Sequence, residues 1–476
     1  MIRLALLYSF CALLAVYAWG DWYKALCGLV LLIAVVEHPD MPKSMLGIQG
    51  LNPWNALLLI IVLAWARSRG EEGLSWDMPR HVAVLLLSYL AVVLWAFARM
   101  MADPDPAFRE AFPVSYLVSE YLVNCLKWVV PGLLIFDGCR SRSRFTLALL
   151  SLLGVYLLLG LQVIRWIPPG VAISGEELTA RSLKILMNEV GFHRVNLSMM
   201  LSGASWACIA AAALFEPGKR RYPFYAGFIG LVYAQALTAG RVGYASWAAV
   251  GLFLAFLRWR KMLLLVPAVA LAVFVFVPGV SERLAQGFSP DSRDSGPALA
   301  ESGTVEEDEP DIYTVTAGRN IAWRYVVKKI RESPVIGFGR QAMLRTGVAR
   351  TLLENYGEEF GHPHNAYLEM LLDNGLVGFL LVIPFYAVVM WYGVSLFLDS
   401  RNPVYTAAGG VACALVLALL VAAMGSQTFY PREGSVPMWC AIGLLLRVHV
   451  ERARGFSWEG KPPADPEEVP FWERGA

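Results

Sequence analysis

The sequence predicts an all-α polytopic membrane protein, with about 12 transmembrane helices and one large polar loop containing short helices. Three observations carry that reading. The chain of 476 residues is 57% hydrophobic and only 16% charged, against roughly 25% charged in soluble domains, and its mean hydropathy is +0.52. Apolar runs approaching the ~20 residues that a bilayer-crossing helix needs recur along the chain. A single long polar interval, from about Ser281 to Gly375, interrupts them. Lipid-exposed backbone must satisfy its own hydrogen bonds, so such runs are read as helices.

The expected spans are Leu4–Trp19, Ala25–Val36, Ala56–Trp65, Val82–Ala98, Tyr116–Phe136, Phe145–Ile164, Asn196–Phe215, Phe224–Ala239, Val242–Leu257 and Met262–Val277, then Leu376–Leu398, Tyr405–Met424 and Val436–Leu446. They organise the chain into N-terminal transmembrane helices (1–278), a large loop (279–375), C-terminal transmembrane helices (376–450) and a Pro/Glu-rich tail (451–476). No internal repeat is evident, and the first apolar run lacks a small-residue cleavage site, so no cleavable signal is expected. The seven cysteines avoid the long polar segment, and no disulfide is expected there.

Short connectors rich in Lys and Arg set orientation. Arg67/Arg69, Arg140/Arg142/Arg144, Lys219/Arg220/Arg221, Arg258/Arg260/Lys261, Arg401 and Arg447/Arg452/Arg454 are each two spans apart, so all fit on the cytoplasmic side. Met100–Pro113, Arg165–Arg194, Ala239–Gly243, the long polar segment and Gln427–Gly434 then face outward. The N-terminus conflicts with this pattern: counting back from Arg67 puts Met1 outside, whereas Arg3 favours the inside. A single span or re-entrant hairpin over Met1–Val36 is the alternative.

Within the long segment, Asp291–Asp311 is acidic and lacks apolar periodicity, which reads as a disordered insertion. Arg319–Arg331 is amphipathic: Ala322, Tyr325, Val326 and Ile330 share one face, and Arg324, Lys328 and Arg331 the other. Ser333-Pro334 stops this helix, and Gly337 and Gly339 make a turn. Pro363 biases His362 towards an extended conformation. Asn365–Asn374 then reads as a short helix closed by Gly375.

His364 stands at that helix start, where free N–H groups and the positive dipole end favour an anion. Histidine also exchanges protons near neutral pH; the competing reading is a structural or capping histidine. His362 and His364 with Glu358 and Glu359 suggest a metal site only weakly, because His193 is the sole further outward His or Cys. Arg241, in a tight outward turn between apolar runs, is a costly placement and hence a site candidate, and its fork suits a phosphate or pyrophosphate. Snorkelling to headgroups is the alternative. Arg319, Arg324, Lys328, Arg181, Arg194 and Arg432 are further outward cations. Asp103-Pro-Asp105 resembles a DxD metal motif, but three residues are a weak signal. No GxSxG, P-loop or GxGxxG context is present.

HNAYLEMLLDNGLVG (His364–Gly378) resembles the end of the large periplasmic loop in the O-antigen ligase and O-antigen polymerase superfamily. There a His-Asn pair precedes an aromatic, a leucine and a Gly-Leu-x-Gly entering the next span. GRNIAWRYVVKKIRESPVIGFG (Gly318–Gly339) is similar to that family's Arg-x-x-x-Trp helix followed by Pro-x-x-Gly-x-Gly. LTAGRVGYASW (Leu237–Trp247) is similar to its Thr-Gly-Ser-Arg-Gly stretch, with Ala239-Gly240 where Gly-Ser is usual. The motifs fall in family order, while the first 190 residues match in hydropathy alone.

The resemblance implies a glycosyltransferase of the bacterial inner membrane. It would move a glycan from an undecaprenyl-pyrophosphate carrier to an acceptor hydroxyl at the periplasmic face, using no metal or other cofactor and no nucleic acid. The acceptor would be a glycolipid, another carrier-linked glycan or a protein Ser/Thr. Carried over by position, His364 acts as or orients the base on the acceptor hydroxyl and Arg241 holds the pyrophosphate. Arg319, Arg324, Asn365, Arg194 and His362 are expected to bind substrate. The acidic insert and the His-Pro before His364 depart from the family pattern. A transporter or flippase of lipid-linked sugars is the alternative; the absence of repeats and the one-sided polar segment count against it.

Overall fold

The computed structural model describes residues 2–45, 48–103, 106–265, 319–357, 360–425 and 428–455, with isolated residues between 267 and 282. The acidic insert, Glu358, Glu359, Asp105, the tail beyond 455 and half of the expected span Met262–Val277 lie outside the described residues.

Every other expected span falls on a helix. In order these are α1 Ile2–Ala18, α2 Trp22–Leu31 and α3 Pro53–Glu71, then α4 Arg80–Ala102, α5 Val114–Gly138 and α6 Arg142–Trp166. An amphipathic α7, Gly175–Ile185, precedes α8 Arg194–Ala212, α9 Tyr222–Leu237 and α10 Arg241–Leu257. The loop contributes α11 Arg319–Ile330 and α12 Val348–Tyr356, and the chain closes with α13 Ala366–Leu398, α14 Pro403–Ala422 and α15 Val436–Ala453. Six of these, α4, α5, α6, α8, α13 and α14, are long and apolar enough to cross a membrane. Apart from helices, the described residues hold one two-stranded ribbon, Ser44–Met45 against Ile48–Gln49. The protein is thus an all-α membrane protein.

Observed starts are set by capping. Asn52 accepts from the Asn55 N–H, Ser141 from Arg144 and Asn402 from Val404, each satisfying a donor that the first helical turn leaves free. Helices α8 and α14 are nearly encased and pack on each other; α9 and α10 flank α8, and α13 and α15 flank α14. Peripheral helices keep their apolar side chains outward, among them Leu6, Leu13, Val16, Leu87, Trp95 and Trp391. In water such a surface would be a liability; in a bilayer it is the lipid-facing wall.

The basic connectors gather at one end of the bundle. Asp77 accepts from Arg447 and Arg140, Asp137 pairs with Arg69, Glu72 with Arg144, and Asp399 with Arg401 and Arg452. Arg447 is fully buried there. At the other end, Arg3 pairs with Asp40 at 3.6 Å, and the Glu37 carbonyl lies against Gly191, beside His193. Helix α1 therefore starts at the end opposite the basic connectors and α2 returns to it. At that end Arg3 has an acidic neighbour in Asp40.

The loop and the membrane bundle meet at a break in α13. Gly375 leaves the helical region, with φ 62° and ψ −165°, so the backbone groups on either side lose their helical partners. The turn Pro334–Gly339 replaces them. Phe338 N–H donates to the Leu372 carbonyl (2.9 Å) and Gly339 N–H to Asp373 (2.6 Å), while Leu376 and Val377 donate to the Pro334 (2.8 Å) and Val335 (3.0 Å) carbonyls. The two backbones approach so closely that a Cβ on Gly337 would sit 2.6 Å from the Asn374 nitrogen, and one on Gly375 would run into the Val335 carbonyl. The expected closure by Gly375 is thus observed: a short helix ends there and a second, kinked away from it, begins directly after.

Gly375→Ala combines a forbidden dihedral with a backbone clash. It should destabilise the protein by about 2 kcal/mol or more, read as a lowered midpoint in thermal unfolding of the detergent-purified protein.

Candidate active site

The site is built at the end of the bundle opposite the basic connectors, from five segments that are far apart in the chain. Helix α11 buries Ile321, Ala322 and Val326, with Tyr325 and Ile330 partly covered against Met343, Leu352 and Phe360. This is the apolar face expected from the sequence. Arg319 and Trp323, one turn apart, lie beside the turn His362-Pro363-His364: the Trp323 indole donates to the Pro363 carbonyl at 2.9 Å.

His364 has φ 51°, a left-handed conformation uncommon for a residue with a Cβ. Its N–H donates to His362 Nδ1 at 3.2 Å, the two imidazoles lie 4.0 Å apart, and Phe360 meets His364 edge-on. Asn365 caps α13, its Oδ1 accepting from Tyr367 (3.0 Å) and Leu368 (3.1 Å). The Asn365 side chain is therefore committed mainly to the helix start rather than to a substrate.

Arg241 enters from the turn between α9 and α10. Ala239 has φ 53°, and the buried Ser198 hydroxyl donates to the Gly240 carbonyl at 3.3 Å. Arg194, at the start of α8, donates to the Ala239 carbonyl at 3.4 Å, and the preceding His193 caps α8. The segment Ala423–Gly425 joins this turn to the histidines. Ala366 N–H donates to the Ala423 carbonyl (2.7 Å), Asn365 Nδ2 to Met424 (3.5 Å), and Gly425 packs against Val242. Arg241 and His364, 123 positions apart by subtraction of their numbers, thus border the same short segment.

Electrostatics marks the site as cationic. Burial and the charges of His362, Arg319 and His193 push the His364 imidazole down to about 3, so it is neutral at physiological pH. His362 is also lowered, by burial first, with Arg432, Arg340 and Arg319 opposing its protonation and Glu369 favouring it. Burial lowers Arg319 itself. A neutral imidazole beside guanidinium groups accepts a hydrogen bond well. Arg324 is exposed, as expected from its place on the polar face of α11, and its charge acts on Tyr356. Asp103 is engaged by Arg345. Among the described residues no group of three His, Cys, Asp or Glu side chains is placed to hold a metal.

Beneath the histidines lies a buried polar cluster that sequence reasoning missed. Arg340 donates to Glu369 (2.7 Å) and Asp373 (3.4 Å), and Tyr430, whose ring lies 3.5 Å below the guanidinium, donates to Asp373 (3.0 Å). Asn374 Nδ2 donates to the Tyr430 hydroxyl at 2.7 Å. The signal was present: Glu369 and Asp373 are four residues apart in an otherwise apolar helix, a spacing that puts two costly carboxylates on one face.

The architecture defines a membrane-embedded helical protein with a half-buried, cation-lined histidine site at one membrane face. Residues 226–383 match the family model described as O-antigen ligase, so that stretch is similar to the O-antigen ligases. No curated protein matches the chain. The matched stretch includes Arg241, Arg319, His362, His364 and Asn365; Arg194, His193 and Arg432 join the site from outside it.

The depressed imidazole gives a pH prediction. A base protonated only near pH 3 leaves the acid limb of kcat/KM well below the ordinary histidine range near 6.5. Activity should therefore stay flat as pH falls from 7.5 to about 5, measured on the purified protein with saturating acceptor. A limb near 6.5 would contradict the cationic surroundings of His364.

Proposed function

We propose that this protein transfers a glycan from a polyprenyl-pyrophosphate carrier to an acceptor hydroxyl at the periplasmic face of the inner membrane. The observation that carries the reading is the convergence of neutral His364 with Arg319 and with the Arg194–Arg241 turn, inside a stretch of O-antigen ligase type. In this reading about 12 spans cross the bilayer, and the long polar segment is the periplasmic loop. A transporter of lipid-linked sugars draws no support from the family match or from the site.

In the proposed reaction the acceptor O–H bond breaks as its oxygen bonds the anomeric carbon. The bond from that carbon to the pyrophosphate oxygen breaks, and the proton passes to His364 Nε2 or Nδ1 and onward to water. The leaving pyrophosphate is already anionic, so cations rather than a general acid assist its departure. Arg241, Arg319 and Arg194 are assigned that role, and Arg241's planar fork fits two phosphate oxygens. A free imidazole protonated only near pH 3 is a weak base. Burial is the larger cause of that weakness; binding of the pyrophosphate offsets only the share due to the surrounding cations, so base strength rises in part once the donor is in place. His362 and Asn365 act mainly on the His364 backbone and the α13 start, and Arg324 is reassigned to the solvated face of α11.

His364→Ala should reduce transfer by about a hundredfold or more without loss of membrane expression; retained transfer would remove the base assignment. Arg241→Lys should be nearly as damaging as Arg241→Ala, because a point charge cannot replace the fork. Full activity of the Lys variant would assign Arg241 to headgroup snorkelling. EDTA should leave transfer intact. Deletion of the gene followed by analysis of surface glycans identifies the acceptor class. Single repeats still attached indicate a polymerase, and accumulation of carrier-linked polymer indicates a ligase.

A further inference from the structure

His364 is held in an unfavourable backbone conformation by groups that do not themselves need to touch a substrate. With φ 51° it occupies the left-handed region, which a residue bearing a Cβ keeps only when its surroundings impose it. Three contacts impose it. His362 Nδ1 accepts from the His364 N–H at 3.2 Å. The Trp323 indole donates to the Pro363 carbonyl at 2.9 Å. On the far side, Ala366 N–H is fixed by the Ala423 carbonyl at 2.7 Å.

We propose that Trp323 and His362 are positioning residues for glycan transfer, clamping the two polar groups of the Pro363–His364 peptide, the carbonyl and the N–H, so that the His364 imidazole faces the cationic site. The proposal rests on the reading of His364 given above. The geometry also constrains the chemistry of His362. A ring nitrogen that accepts a backbone N–H bears no proton, so neutral His362 carries its hydrogen on Nε2. Its Nδ1 is occupied by the backbone, which assigns the ring a structural hold in place of acid–base chemistry at that atom. Trp323 follows Arg319 by four residues, so one face of α11 delivers both a charge near His364 and the clamp on its neighbour. An Arg-x-x-x-Trp spacing on a helix is what such a double task requires.

The test uses full-length protein in proteoliposomes with carrier-linked donor, comparing Trp323→Phe, His362→Ala and His362→Asn. Phenylalanine keeps an aromatic ring without the N–H donor, and the Asn side-chain oxygen replaces Nδ1 as acceptor whereas Ala does not. A displacement of ~1 Å costs about a hundredfold in rate, so Trp323→Phe and His362→Ala should lower kcat on that order while donor KM stays within about twofold. His362→Asn should recover at least a tenth of the lost factor or more, that is, exceed His362→Ala about tenfold. Unchanged kcat in Trp323→Phe and His362→Ala overturns the proposal, as does a raised KM with unchanged kcat, which would mean substrate contact. So does a His362→Asn variant no faster than His362→Ala. Should Trp323→Phe fail to purify folded, the His362 pair decides alone. His364→Ala separates the two levels. If it remains active, the His364 reading fails and the clamp has no purpose. If it is inactive while the other variants match the unsubstituted protein, the clamp alone fails.

Discussion

The break at Gly375 is the constraint on which the rest of the structure depends. A helix that enters the membrane has carbonyl and N–H groups that must be paired. Interrupting it at Gly375 strands four of them, and the turn Pro334–Gly339 supplies all four partners. That exchange of backbone hydrogen bonds ties the polar loop to the membrane bundle. It also fixes where α11 lies relative to the start of α13, and so where Arg319 and Trp323 lie relative to His364. The glycines on both sides are required by proximity, since two backbones in hydrogen-bond contact leave no room for a Cβ.

The buried cluster of Arg340, Glu369, Asp373 and Tyr430 reinforces the same junction from below. Arg340 comes from the residue after the glycine turn, and its backbone N–H also donates to the Ala96 carbonyl of α4 at 2.9 Å. Its guanidinium is paired with two carboxylates of α13 and lies over Tyr430 from the loop between α14 and α15. Such an ion pair is weak evidence for stability in itself, because desolvation offsets most of the attraction. Its directional hydrogen bonds nonetheless set the register of three segments around the base of the site.

Above that base, five chain segments contribute cations or imidazoles, from 193–194, 241, 319, 362–364 and 432, and burial opposes protonation of His193, His362 and His364. At the opposite end Arg447 is paired with Asp77 and Arg69 with Asp137.

Much of this was legible in the chain. Hydropathy located the helices because lipid demands self-satisfied backbone. The amphipathic face of Arg319–Arg331 was readable from its periodicity, and motif spacing named His364, Arg241 and Arg319. Only the tertiary structure decided that Arg194 joins the Arg241 turn, that Asn365 serves as a cap and that Arg3 has its partner in Asp40. It alone showed that the Pro-x-x-Gly-x-Gly and Asn-Gly-Leu-x-Gly stretches belong together. The physical reason is the same in each case. Periodicity and capping are local properties carried by neighbouring residues, whereas hydrogen bonds between Pro334–Gly339 and the Gly375 break, or charges shared by His193, Arg319 and His364, exist only once distant segments have been brought into contact.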